Sequence, residues 1–421
     1  MAAPTEAWFY AQLIDLCTGI TGPDDLRRLH REYASRYPFL LQSTAHDTEL
    51  GRYDILFASP GEALHLDAES RLHGPHADAS NNFLSALDDW WAGEQVPTSG
   101  GELPFVGGWF IYLGYELAAQ IEPGLTLNTD ATLPTAFAVR CRTALVFDHE
   151  RSQCFLVCED EVCADAQQLR RDIDAIRDVG NGGTVRLTDV AEEPPTIFLE
   201  AVLAAKQHIS AGDIYQANLS RQWSVNLDED ATASDIYGSL CRSNPAPFAG
   251  LARWQDTAVM SSSPERLLQL RDGTASTRPI AGTRPRSDDD WIDDSLSAEL
   301  LAHPKEVAEH VMLIDLERND LGRVCEAGSV VVDEMMVLES YAHVHHIVSN
   351  VSGRLRQDVT PGQALAAVFP GGTITGCPKV RCMEIISELE NSARGAYTGA
   401  FGYLNRDGNL DLNILIRTMV K

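Results

Sequence analysis

"YTGAFGYLNRDGNLDLNILIRTM", residues 397–419, is two alternating runs about a turn, and the length of that turn decides which side chains share a face. A two-residue Asp407-Gly408 loop would pair Thr398 with Arg417 and mix polar with apolar residues on both faces. A three-residue loop, Arg406-Asp407-Gly408, puts glycine at its left-handed position and pairs Tyr397 with Arg417. In that register Ala400, Gly402, Leu404, Leu410, Leu412, Ile414 and Ile416 form one apolar face, and Tyr397, Asn413 and Arg417 share the other. The three-residue turn is therefore expected. Arg417 beside a tyrosine hydroxyl suits bidentate capture of a carboxylate, the ordinary alternative being an ion pair with an acidic side chain of the protein itself.

Strands and helices alternate irregularly around this hairpin, which predicts an α+β fold with antiparallel sheet. "TIFLEAVLAAKQHISAG" has apolar residues at helical spacing, with Thr196 as N-cap and Gly212 as the stop, and it feeds an alternating strand, "DIYQANLSRQWSVNL". Another helix is expected over about 297–314, where Glu306, Glu309 and His310 share a face. Glycine, acid and proline punctuation makes 180–196 the linker candidate, dividing the chain into 1–190 and 191–421. The first part offers no catalytic motif by itself.

With 44% hydrophobic and 22% charged residues the chain is globular. Its formal charge of −28 disfavours nucleic acid and anionic membrane as partners, so an anionic substrate would need a pocket with locally positive potential. Nine cysteines without a CxxC pair fit a reduced, cytoplasmic compartment. Cys154, Cys158 and Cys163 are too irregularly spaced for zinc, and buried thiols account for them better. No stretch reaches the ~18 apolar residues of a membrane span, and the N-terminus lacks a basic region before an apolar run.

"FPGGTITGCPKVRCMEIISELE" has the glycine spacing of a phosphate loop, but Cys377 and Pro378 stand where that motif needs lysine and Ser or Thr, so nucleotide binding is rejected. Pro378 belongs to the first turn of a helix, and the glycines let a ligand approach backbone amides there, predicting an anion site suited to a carboxylate.

Taken in order, "GDIYQANLSR", "NPAPF", "SSSPERLLQL", "RPIAGTRPR", "HPKEVAEHVMLIDLERNDLGRV", "YAHVHHIVSNVSG", "PGGTITGCPKVRCMEII" and "DLNILIRT" resemble the chorismate-utilising enzymes across most of 197–421. Within that family the aminodeoxychorismate synthase component I branch is the most similar, with anthranilate synthase component I second. The resemblance implies two antiparallel sheets packed as a sandwich with surrounding helices, the N-terminal region woven into it. It makes Glu309 a direct Mg²⁺ ligand, with Glu306 reaching the ion directly or through water. Glu265 becomes the general acid for the departing ring hydroxyl and His346 a catalytic histidine. Gln216, Gly282, Thr283, Thr373, Tyr397 and Arg417 fall at substrate-binding positions. Chorismate is a dianion, so Mg²⁺ and Arg417 would supply the attraction that the rest of the chain lacks. His303, His310, His343, His345 and His346 could suggest zinc instead, but the resemblance is to an oxygen-ligand site.

The resemblance also discriminates among reactions. Gln216 stands where the water-adding members carry a lysine base, leaving ammonia as nucleophile and a class I glutamine amidotransferase subunit as the expected partner. Ala281 replaces the lysine with which many aminodeoxychorismate synthases form a ring adduct, so that covalent route is closed. Ammonia either displaces the hydroxyl without an adduct, for folate biosynthesis, or enters the neighbouring position and releases pyruvate to give anthranilate. The family's further strand and helix, with a second glutamate pair for the metal, would lie beyond Lys421, which keeps a silent scaffold that docks the glutaminase as a third expectation. "FLLQS" and "NPAPF" resemble tryptophan-binding stretches and nominate Ser43, Pro247 and Phe248 for such a pocket, local packing being the alternative.

Overall fold

The computed structural model describes residues 10–12, 19–45, 51–78, 80–98, 101–159, 164–180, 182–183, 185–228 and 230–421. Two antiparallel sheets form its centre. One has eight strands, in the order Tyr10–Gln12, Gln153–Cys158, Thr143–Asp148, Tyr53–Ala58, Phe39–Gln42, Phe248–Trp254, Thr257–Ser263 and Thr418–Val420. The other has eleven and runs from Ile280–Pro285 through Val344–Arg354, Thr274–Arg278, Arg266–Arg271, Leu410–Asn413, Ala400–Asn405 and Gly108–Leu113 to Ala136–Cys141 and the short strands beyond. Strands from before residue 190 pair directly with later ones: Phe39–Gln42 lies on Phe248–Trp254, and Gly108–Leu113 on Ala400–Asn405.

Three apolar layers follow from the alternation along the strands. Between the sheets lie Phe39, Phe57, Phe110, Phe137, Val259, Phe401 and Leu415, with Phe39 and Phe110 stacked at 4.1 Å between ring centres. The outer face of the larger sheet packs on helices Phe83–Glu94, Pro304–Gly322 and Pro361–Val368. The outer face of the smaller sheet packs on Pro23–Glu32, Ala166–Ala175 and Ala233–Ser243. Truncating one of the central phenylalanines to alanine would cost about 3–5 kcal/mol.

The hairpin has the three-residue turn. Leu404 pairs with Leu410 and Gly402 with Leu412, the Asn405 amide donates to the Asn409 carbonyl at 2.7 Å, and Gly408 sits at φ +87°. Ala400, Leu404, Leu410, Leu412 and Ile414 lie in the helix-side core as expected. The opposite face is apolar too, because Phe401, Tyr403 and Leu415 fill the layer between the sheets.

Other expectations need correction. Residues Leu187–Glu192, inside the linker candidate, form a strand paired with Trp223–Leu227. The helix after it is Pro195–Ala211, and Thr196 is not its cap: Pro195 occupies the first helical position, where a missing N–H costs nothing. Gly212 does end it, at φ +83°. The strand expected over 213–227 is two pieces, Gln216–Ala217 and Trp223–Leu227, because the Asn218 amide donates to the Thr375 carbonyl and its own carbonyl accepts from Arg394. The helix expected over 297–314 is a pair, Asp290–Ala302 and Pro304–Gly322, broken at the extended His303 because Pro304 has no N–H to continue the ladder.

Candidate functional site

Two segments pass from one sheet to the other, and each carries a charged residue. Thr257–Ser263 belongs to the smaller sheet and Arg266–Arg271 to the larger, with Glu265 in the crossing. Leu410–Asn413 and Thr418–Val420 are divided likewise, and Arg417 lies just before the second strand. The crossings are tied together: the Ile414 amide donates to the Glu265 carbonyl at 3.0 Å, and the Ser262 amide to the Arg417 carbonyl at 3.2 Å. Chain crossing also ends the hairpin's ladder. Arg417 takes φ +52° and the Thr398 amide donates to the Leu415 carbonyl, so Tyr397 and Arg417 are not a ladder pair as the extrapolated register implied. The Tyr397 ring instead meets the buried Arg394 guanidinium, 5.5 Å from its centre.

Glu265 is 4% exposed. Burial pushes its carboxyl up to about 8; the Thr373 hydroxyl and the Ile280 amide hold it down, Glu317 pushes it up, and Arg417 lowers it. The Ile280 N–H donates to Oε1 at 3.3 Å. Thr373 Oγ1 faces the same carboxyl yet is buried without a hydrogen bond of normal geometry, an unsatisfied hydroxyl aimed into the site. A carboxyl protonated at neutral pH in this setting can donate its proton to a leaving oxygen.

Arg417 is half-buried, which lowers its pKa, and it belongs to none of the ion pairs among the described residues. Its guanidinium donates to Asn244 Oδ1 at 3.2 Å and to His346 Nε2 at 3.4 Å. His346 is 2% exposed, and burial, reinforced by Arg417, holds its pKa down to about 4, so the ring is neutral and Nδ1–H donates to Thr283 Oγ1 at 2.9 Å. A guanidinium without a carboxylate partner in a chain of charge −28 is a ready anion receptor.

From Thr283 the site continues to the carboxylates. A Cβ on Gly282 would stand 3.1 Å from Glu306 Oε2, and Glu306 Oε1 accepts from Arg284 at 3.4 Å. One turn further along the helix, Glu309 Oε1 accepts from the Gln216 side-chain amide at 2.9 Å. Gln216 is held there by pairing with Cys377, which needs glycine next to it: at φ +131°, a Cβ on Gly376 would fall 2.2 Å from the Gln216 carbonyl.

Glu306 and Glu309 are partly exposed hard-oxygen donors. Among the described residues no group of three or more His, Cys, Asp or Glu is arranged to hold a metal. Two carboxylates nevertheless fit Mg²⁺, which takes one or two and completes its shell with water and substrate oxygens. Three of the five histidines considered for zinc have other partners: His310 meets Ser349, His345 meets Ser340 and Asp293, and His346 meets Thr283, whereas His303 Nδ1 is buried without a hydrogen bond. Of the cysteines considered for zinc, Cys154 is buried, Cys158 half-buried, and Cys163 lies outside the described residues.

Part of the glycine-rich segment already lies against a carboxyl of the protein itself. The Gly372 amide faces Glu317, a residue that motif reading passed over. The signal was available, since Glu317 falls on the stripe of His310, Leu313, Ile314 and Leu321 that the helix buries. Ser43 and Phe248 belong to adjoining stretches, joined where Thr44 and Ala246 exchange hydrogen bonds; Ser43 Oγ is buried without a partner, Pro247 is buried, and Arg266 stacks on Phe248. A cavity of about 190 Å³ near Arg140, Thr143 and Asp165 contains none of these side chains.

Residues 37–421 match the family model for chorismate binding enzymes. The chain is 39% identical over 411 residues to the anthranilate synthase component I-like protein of Synechocystis sp., covering 96% of this chain and 82% of that one. It is 38% identical over 347 residues to aminodeoxychorismate synthase component 1 of Bacillus subtilis, covering 80% and 73%. The solved anthranilate synthase component I of Streptococcus pneumoniae superposes with a TM-score of 0.77 at 31% identity, over 88% of this chain and 84% of that one. The chain belongs to the chorismate-binding enzyme family, of the anthranilate and aminodeoxychorismate synthase type.

Proposed function

We propose that this protein aminates chorismate with ammonia to 4-amino-4-deoxychorismate, in a Mg²⁺-dependent reaction serving para-aminobenzoate and folate synthesis in the cytoplasm, with ammonia delivered by a class I glutamine amidotransferase subunit. The observation that carries the reading is the buried, proton-bearing Glu265 carboxyl in the field of an Arg417 that has no ion-pair partner among the described residues. Arg417 captures one substrate carboxylate, and Thr373 faces Glu265 beside it. Glu306 and Glu309 are the residues that would hold Mg²⁺, which would supply positive charge against the other carboxylate. Glu265 donates its proton to the ring hydroxyl as the C–O bond breaks, so the oxygen leaves as water. Ammonia forms the C–N bond and gives up one proton, which restores the balance. Neutral His346, bridging Thr283 and Arg417, holds the guanidinium in place and adds no competing charge. Gln216 orients Glu309 and offers no base with which to activate water.

A second reading, anthranilate formation, is favoured by Ala281. This side chain is buried on a strand paired with Ile347 and supplies no amine where many aminating relatives have one. Incubation with chorismate, a magnesium salt and an ammonium salt, followed by mass analysis, decides between them. Aminodeoxychorismate is expected; anthranilate fluorescence without an added lyase overturns the first reading in favour of the second. No turnover, with glutaminase binding intact, would favour a docking scaffold.

A further inference from the structure

We propose that Glu317 is a positioning residue that shares a single proton with Glu265, a second carboxyl behind the acid that keeps the acid loaded. The inference deepens the reading above and rests on Glu265 acting as the proton donor.

Both carboxyls are nearly sealed from solvent, at 6% and 4% exposure, and neither is in an ion pair among the described residues. They bracket the same two pieces of backbone. Glu317 faces the Gly372 amide while Glu265 faces the hydroxyl of the next residue, Thr373. Thr277 faces Glu317 from one side of Pro279 and the Ile280 amide serves Glu265 from the other. A Cβ on Gly372 would lie 3.2 Å from Glu317 Oε1, so the turn is moulded closely to this carboxyl.

The charges around the pair are few. Facing Glu317 are Asp320 on its own helix and Lys379 on helix Lys379–Leu389; Arg323 and Lys379 face Asp320; Glu265 itself is faced by Arg417. Lys379 Nζ is committed to Asp320 Oδ2 at 2.5 Å and to the Val368 carbonyl at 3.0 Å. Asp320 therefore consumes that cation as a bonded partner, and the two glutamates have none between them. Two adjacent buried carboxyls in this position tolerate one negative charge between them. Burial raises both carboxyls, with Lys379 offsetting part of this at Glu317 and Arg417 part of it at Glu265; in the proposal the single negative charge rests on Glu317. Its charge then acts on Glu265, which retains the proton on the side facing Thr373 and Arg417. After Glu265 has given that proton to the leaving oxygen, both carboxyls are anionic and the next solvent proton is drawn back to the pair.

Glu317→Gln keeps the side chain's shape and an oxygen to face the Gly372 amide while removing the charge. Rates are measured against pH with chorismate, ammonium and magnesium and expressed relative to wild type, which cancels the titration of ammonium. Loss of a like charge lowers the Glu265 pKa, so the alkaline limb should move down by roughly one unit, a roughly tenfold loss there with the acid side unchanged. Glu317→Asp should restore most of the limb. An unmoved limb, or a uniform loss at every pH, overturns the proposal. Glu265→Gln separates this from the underlying reading: a wild-type rate in that variant sinks Glu265 as the acid, whereas its inactivity beside an unmoved Glu317→Gln limb sinks only the shared proton. Should Glu317→Gln fail to fold, an infrared titration of the wild-type protein decides, two separated carboxyl deprotonations supporting sharing and one step of two equivalent groups refuting it.

Discussion

Helix Pro304–Gly322 carries glutamates at both ends of its role, and their surroundings differ more than their chemistry. Near its start, Glu306 and Glu309 are partly exposed and meet Arg284 and Gln216, polar groups that leave the other lone pairs free for an ion and its water. Two turns on, Glu317 is buried against Gly372 beside Glu265, where no cation among the described residues pairs with either. The wet pair is left open to an ion; the dry pair is built to keep a proton. One residue type is thus set in two environments that differ in solvent access, which is what would suit it to two different services.

The contrast is tested most severely at Glu265. Replacement by glutamine removes the transferable proton while keeping the shape, and kcat should fall by roughly 10²–10⁴-fold with the fold intact by circular dichroism. Retention of activity would erase the distinction between dry and wet carboxyls. Next comes Arg417→Met, which removes the guanidinium proposed to hold a substrate carboxylate: kcat/KM should fall roughly 10–100-fold, chiefly through KM. A loss confined to kcat would mean that the guanidinium does not hold the ground state.

Much of this was legible in the chain. Asp407-Gly408 between alternating runs fixed the hairpin turn because turn chemistry and apolar pattern are local and agree. The ordered motifs nominated Glu265, Glu306, Glu309 and His346; the structure sets Glu306 against Gly282 and bonds His346 to Thr283 and Arg417. The Tyr397–Arg417 pairing was illegible because the chain leaves one sheet for the other at that point, an event set by the partner strand Thr257–Ser263, far away in sequence. Glu317 was visible as an acid on an apolar stripe, but its meaning depends on Gly372 and Glu265, neither of them near it along the chain.

On the wet side, Glu309→Gln keeps the bond partner of Gln216 but removes a charge, so the magnesium concentration giving half-maximal rate should rise at least roughly tenfold while the alkaline limb set by Glu265 stays where it is. A shifted limb would show the two pairs to be one electrostatic unit.

The smallest effect is on stability, and its sign is fixed by the dry pair. Glu265 has an ordinary value of 4.5 and is pushed up to about 8 in the fold, so between those values the folded chain binds a proton that the unfolded chain has released. Its contribution to stability is fully present below about 4.5 and is lost as pH rises towards 8. Glu265→Gln has no such loss, so its melting temperature should pull ahead of wild type from pH 5 to 8 and run parallel above. The gain should reach roughly 1–2 kcal/mol, less than the full shift implies because an ionised buried carboxylate recruits water. Melting curves that run parallel across this whole range would mean that Glu265 is ionised in the fold, and the site would then have no proton to give.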